Sequence, residues 1–219
     1  MARLSVILFF LFLFTVNCKK KCPDCEIVPV TTTHFTFHVK IYITDSYVSD
    51  YIPDSTTNYG TAPNIFTSSW TYSGSVSNQY FMIRFDYSSL PSSAVIKSAV
   101  LTLYADTSFS MPVNPGHYGN GVDSSAITNI TSPWNELTVN WNNRPTNTLK
   151  NQIKIKPTVT SADSLYLDVT ILVKDQLVNG NYGFQVSLLN YTPYQRLFYY
   201  SSDEPTYTKL MPKLMIQLQ

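Results

Sequence analysis

The chain has 219 residues, enough to bury a large core without disulfide help, and a single domain is the expectation at this length. Charged residues make up 13%, well below the share in an ordinary domain, and the formal net charge is +1, which excludes the basic footprint of a nucleic-acid-binding surface. With 16 Tyr, 12 Phe and only 7 Gly, the composition favours strands; Ser, Thr, Asn and Tyr are left to cover the surface, which suits neutral polar partners.

The chain opens with "MARLSVILFFLFLFTVNC": Arg3, then an apolar run from Leu4 to Val16 broken only by Ser5 and Thr15. The run falls short of the ~20 apolar residues that a membrane-spanning helix needs, and it has the layout of a secretory signal. It stops at Cys18 with no small-x-small site before it. This resembles a bacterial lipoprotein signal, whose cysteine is acylated, although Thr15, Val16 and Asn17 depart from the usual lipobox residues. A plain secretory signal cut elsewhere is the alternative. The expected division is a signal peptide over 1–17, a tether over 18–33 and a folded domain over 34–219. A lipid on Cys18 would hold the domain at a membrane without spanning it.

Cys22 and Cys25 form a C-x-x-C pair, read as a local disulfide in an exported chain. His34 and His38 complete the order of a zinc finger, but only eight residues separate Cys25 from His34 where about twelve are wanted. Residues 34–44, "HFTFHVKIYIT", alternate strictly, so the two histidines are read as polar-face residues of a strand. Residues 44–64 read as a long polar loop. Residues 79–85 read as a strand with Phe81, Ile83 and Phe85 inward and Tyr80, Met82 and Arg84 on the other face. Leu90-Pro91 makes a turn, and residues 95–105 form a strand with Ala99, Leu101 and Leu103 inward. A second long loop covers 108–125. Short strands are expected in "AITNI", "ELTVNW", "LYLDV", "GFQVSLLN", "RLFYYS" and "KLMIQLQ". One helix is expected in "DVTILVKDQLVNG", where Val169, Leu172, Val173 and Leu177 fall at helical spacing, Asp168 or Thr170 caps the start and Gly180 follows the end. The predicted fold is all-β, a jelly-roll-like β-sandwich with one short helix.

Several stretches, in this order, resemble the DNRLRE domain, which is grouped with carbohydrate-binding module family 96. They are "TDSYV" with "TNYGTAPN", "YFMIRFDYSSLPSSAVIKSAVLTLYAD", "WNELTVNWNNRP", "LYLDVTILVKDQLVNGNYGFQV" and "YYSSDEPTYTKLMPKLMI". The resemblance runs from about Phe37 to the C-terminus. It implies a β-sandwich in an extracellular or cell-surface setting, and glycan binding, with acidic polysaccharides among the ligands.

For such binding the residues point to aromatic platforms: Trp70, Tyr80, Tyr104 and Tyr199, with Arg84 supplying charge to an acidic sugar or else serving as a buried pair member. Trp70 stands in a polar stretch, "TSSWTYSG", and is read as an exposed loop Trp that serves as a sugar platform, or as a cover for one end of the sandwich. Trp134, Glu136 and Trp141 read as structural. Catalysis has thin support. A glycosidase needs two carboxyls about 5 to 9.5 Å apart, and Asp50, Asp54, Asp203 and Glu204 all fall in loops. No cofactor is expected. Asp45, Asp50 and Asp54 could hold a structural calcium through one loop, without the pattern of an EF-hand. The expected partners are a polysaccharide, a membrane through the lipid, and an enzyme or scaffold acting in trans. The rivals are a structural or adhesion module without a small ligand, and a polysaccharide lyase or hydrolase.

Overall fold

The computed structural model describes residues 36–37, 42–91, 93–108, 116–119 and 122–219. The cysteines, His34, His38 and the segments assigned to signal and tether lie outside the described residues. Eleven strands and one helix are described: β1 (Thr36–Phe37), β2 (Ile43–Ser49), β3 (Asn64–Tyr72), β4 (Ser75–Phe85), β5 (Ile96–Leu103), β6 (Ser125–Ile130), β7 (Asn147–Ile155), β8 (Leu165–Asp168), α1 (Thr170–Asn179), β9 (Phe184–Leu188), β10 (Gln195–Tyr200) and β11 (Lys213–Leu218). All pairings are antiparallel. One sheet runs β1-β11-β5-β8, and the other runs β10-β3-β4-β9-β6-β7 with β2 on β4. The expected β-sandwich with one short helix is the fold of the described residues.

Period-2 alternation makes the core. Phe81, Ile83 and Phe85 of β4 and Ala99, Leu101 and Leu103 of β5 are buried in one cluster, joined by Ile65, Val186, Leu197, Tyr199, Leu214 and Ile216. The opposite face of β4 is covered as well. Tyr80 and Met82 pack with Val48, Ile130, Trp134 and Val139 in a second cluster, so the polar face expected there is absent.

The helix forms where its spacing puts it. Asp168 Oδ1 accepts from the Thr170 N–H at 2.9 Å and from its hydroxyl at 2.5 Å, while Gly180 closes the end at φ +103°. Leu172, Val173 and Gln176 are buried, but Leu177 is 47% exposed, so it is not part of the core. Gln176 ties the helix to the larger sheet by donating to Asn129 Oδ1 at 2.7 Å and to the Gly183 carbonyl at 3.1 Å; it also accepts from the Tyr87 hydroxyl.

Three expectations are corrected. Residues 44–49 belong to β2 rather than to a loop, and residues 64–72 form β3. "ELTVNW" is not a strand: it ends in a 3-10 turn over Trp141–Asn143, because Asn140 accepts from the Asn142 N–H and Asn143 accepts from the Asn140 N–H. The strand of that region is β7.

Gly183 opens β9 at φ +89°, and a Cβ there would lie 2.5 Å from the Ile83 carbonyl oxygen. Gly183→Ala should therefore cost well over ~1 kcal/mol in denaturant unfolding. An unchanged midpoint would show that β4 can yield.

Candidate functional site

On β3 the residues alternate between Ile65 and Thr67, which are fully buried, and Asn64, Phe66, Trp70 and Tyr72, which are half-buried. On β10 the same alternation sets Leu197 and Tyr199 into the main core and Arg196 and Phe198 on the other face. The register places Phe198 beside Phe66 and Arg196 beside Ser68. These side chains, with Tyr47 of β2 and Ala62 and Pro63 from the preceding loop, line a groove of about 380 Å³.

The rings are arranged in a chain. Tyr59 stacks on Tyr47 at 4.1 Å, Tyr47 meets Phe66 at 4.2 Å, and Phe66 stacks on Phe198 at 5.2 Å. The Arg196 guanidinium lies 5.2 Å from the Phe198 ring and 5.8 Å from the Trp70 ring. Tyr118 and Tyr194 meet Trp70 edge-on at 5.4 and 5.3 Å, and Tyr51 meets Tyr72 at 5.4 Å. Each such ring pair is worth about 0.5–1.5 kcal/mol beyond its buried area, so the platform is held in place before any ligand arrives. Arg196 is 5% exposed and donates from Nε and Nη2 to the Gly116 carbonyl at 3.1 and 2.9 Å; burial lowers its pKa. It is the one formally charged residue of the lining.

His117 backs this wall. Its Nδ1 accepts from the Phe198 N–H at 2.8 Å, so its Nε2 carries the proton that bridges to the Asp163 carbonyl at 2.7 Å. Burial lowers the His117 pKa below its ordinary value. The unfolded chain therefore takes up a proton more readily, and stability held above about pH 6.5 is lost as pH falls. Asp45 works in the opposite direction: burial raises its carboxyl to about 7, so its contribution is full below its unfolded pKa near 4 and is lost as pH rises through 7. The test is a difference. Between pH 7.5 and 5, His117→Gln should lose less stability than the unaltered chain in chemical denaturation, and equal losses would discharge His117.

The structure scatters the five residues singled out from sequence. Trp70 lies in the groove, on a strand rather than in a loop. Tyr80 is 8% exposed, in the second cluster, with Trp141 5.7 Å away. Tyr199 is 1% exposed, with Phe81 and His117 against its ring, so it is a core residue and offers no face to a sugar. Tyr104 follows β5 in the other sheet, where Lys213 donates to its hydroxyl at 3.2 Å; β4 and β5 do not share a sheet, so Tyr104 does not join a surface with Tyr80 and Arg84. Arg84 is half-buried, 5.6 Å from the Trp134 ring, and lines a wide cleft of about 1240 Å³ with Thr44, Asp86 and Lys174. Among the described residues its lining holds Tyr42 and Tyr87 but no row of rings. Sequence reading missed Tyr47, Phe66, Tyr72, Arg196 and Phe198, although the spacing Phe66, Trp70, Tyr72 on one strand face was there to be counted.

The trio Asp45, Asp50 and Asp54, considered as a possible calcium loop, does not assemble among the described residues. Asp50 accepts from the Asn78 N–H at 2.6 Å and from its amide at 2.9 Å. Asp45 instead meets Glu136 and Asp203, and this is the group of three acids brought together among the described residues. None of the three lines the groove or the wide cleft.

The profile of carbohydrate-binding module family 96 matches residues 37–218. The chain belongs to that family. No curated protein matches it in sequence. As a member it is a carbohydrate-binding module, and the ring-lined groove is its best candidate for the sugar face.

Proposed function

We propose that the groove on β3 and β10 binds a polysaccharide, and that the protein is a non-catalytic, exported module that holds this glycan at the cell envelope. The observation that carries the reading is the row of rings in mutual contact, Tyr47, Phe66 and Phe198, with Trp70 joined to it through Arg196, along one open groove. Pyranose faces carry apolar C–H groups and pack on such rings, while Asn64 and the Tyr72 hydroxyl offer hydrogen bonds at the rim. Arg196, the one formally charged residue of the lining, gives the groove a positive charge, which favours an acidic polysaccharide over a neutral one. None of the three clustered acids lines the groove or the wide cleft, which speaks for binding rather than hydrolysis. An enzyme or scaffold in trans would supply the chemistry.

The test is an array of neutral and acidic polysaccharides probed with the full chain in detergent. Retention of an acidic glycan, weakened by salt, is the expected result; no retention anywhere would leave the structural or adhesion reading standing. We further propose that Cys18, which lies outside the described residues, carries the lipid. Mass spectrometry of the mature N-terminus should find acylated Cys18, and an unmodified terminus at another residue would sink that assignment.

A further inference from the structure

Three carboxylates from distant parts of the chain converge at one spot: Asp45 from β2, Glu136 from the turn after Trp134, and Asp203 from the loop after β10. One oxygen of each lies within 4.8 Å of the others. They belong to three of the stretches that carry the family resemblance, "TDSYV", "WNELT" and "SSDEP".

The backbone holds them there. The Asp45 N–H donates to Glu136 Oε1 at 2.6 Å, and the Ser202 N–H donates to Asp45 Oδ2 at 2.8 Å. Asn58 fixes the Glu136 carbonyl at 2.6 Å, and Gly60 packs so closely that a Cβ would sit 2.0 Å from that oxygen. The Ser201 hydroxyl accepts from the Asp203 N–H at 3.0 Å and donates to the Ala62 carbonyl at 2.6 Å.

Two facts turn this cluster into a site. Asp45 is 1% exposed, and its second oxygen, Oδ1, is buried without a hydrogen-bond partner among the described residues. A buried carboxylate oxygen without a partner is costly, and two more carboxylates beside it raise that cost. No lysine or arginine closes the gap: the ion pair among the described residues, Lys150–Asp175, lies elsewhere. Arg84 reaches Glu136 only through its field, with its guanidinium over Trp134.

We propose that Asp45, Glu136 and Asp203 bind a divalent cation, and that the cation is calcium. The donors are all hard oxygens, with no His or Cys among them, which disfavours zinc. Oxygens bound at 2.3–2.6 Å around one calcium ion are at most about 5 Å apart, and the three lie within that reach of one another; a set of three protein carboxylates suits calcium better than magnesium, which keeps several waters and takes one or two carboxylates. The ion would pin β2, the turn after Trp134 and the loop after β10 together, two residues from Tyr47 of the groove. This inference does not depend on which glycan binds, or whether one does.

The test uses the full chain in detergent, stripped with EDTA, dialysed and titrated with CaCl2 or MgCl2. Calorimetry should show saturable binding of one calcium per chain, and the melting temperature should rise with calcium and level off. Glu136→Gln should weaken calcium binding at least ten-fold, and so should Asp203→Asn, whose exposed side chain leaves folding intact. Asp175→Asn, at the distant ion pair, should leave it unchanged. No binding or shift in the unaltered chain would overturn the site. Unchanged affinity in Asp203→Asn and Glu136→Gln would place the ion elsewhere, and magnesium acting as strongly as calcium at equal concentration would overturn the choice of ion.

Discussion

Trp70→Ala should weaken glycan binding ten-fold or more while leaving the fold intact. The ring is half-buried in the lining of the groove, held edge-on by Tyr118 and Tyr194 and joined to Phe198 through Arg196. Stacking of a sugar on one such ring is worth about 1–3 kcal/mol, and 1.4 kcal/mol is a factor of ten in affinity. The loss should appear as a raised Kd in calorimetry with the melting temperature changed by only a few degrees. Tyr104→Ala, whose ring lies against Tyr166 and Lys213 of the smaller sheet, should bind as the unaltered chain does. If Trp70→Ala binds normally and Tyr104→Ala does not, the sugar face has been assigned to the wrong sheet.

Tyr199→Ala should behave in the opposite way. Its ring is 1% exposed between Phe81 and His117, and removing it leaves a cavity in the main core. Large-to-small changes of this kind cost about 3–5 kcal/mol, a large fraction of the roughly 5–15 kcal/mol that holds a domain together. Tyr80→Ala should follow, with a smaller loss, because Val48, Met82 and Trp134 surround it in the second cluster. Denaturant unfolding measures both. A glycan affinity lost in Tyr80→Ala with stability unchanged would mean that the second cluster opens to ligand.

The contrast between these residues shows how far the sequence could be read. The inward faces of β4 and β5 were legible because Phe81, Ile83, Phe85 and Ala99, Leu101, Leu103 keep a period of two, and the helix was legible from Leu172 and Val173 with Asp168 before and Gly180 after. What was not legible is what covers an outward face. Tyr80 looks like a polar-face tyrosine until the turn carrying Trp134 and Val139 folds over it, and no local pattern announces a contact between residues so far apart. Tyr199 has the same ambiguity: in "RLFYYS" the two tyrosines take opposite faces of β10, both buried, and only the packing of the sheets decides which of them enters the main core. The split of β4 and β5 between two sheets is a matter of topology, and it separated Tyr104 from Tyr80. The groove itself was half-legible. Phe66, Trp70 and Tyr72 share a face, but the interleaved serines and threonines made the strand read as loop. The acidic cluster lay in the family stretches all along, yet Asp45 and Asp203 alone read as loop residues and Glu136 as structural.

The measurement that bears most directly on the central claim is a crystal structure of the chain with an oligosaccharide from whichever polysaccharide it retains. The account predicts a sugar ring in van der Waals contact, about 4 Å, with Trp70, Phe66 or Phe198 along the groove of β3 and β10. A sugar seated instead in the wide cleft beside Arg84, with the groove rings untouched, would contradict it.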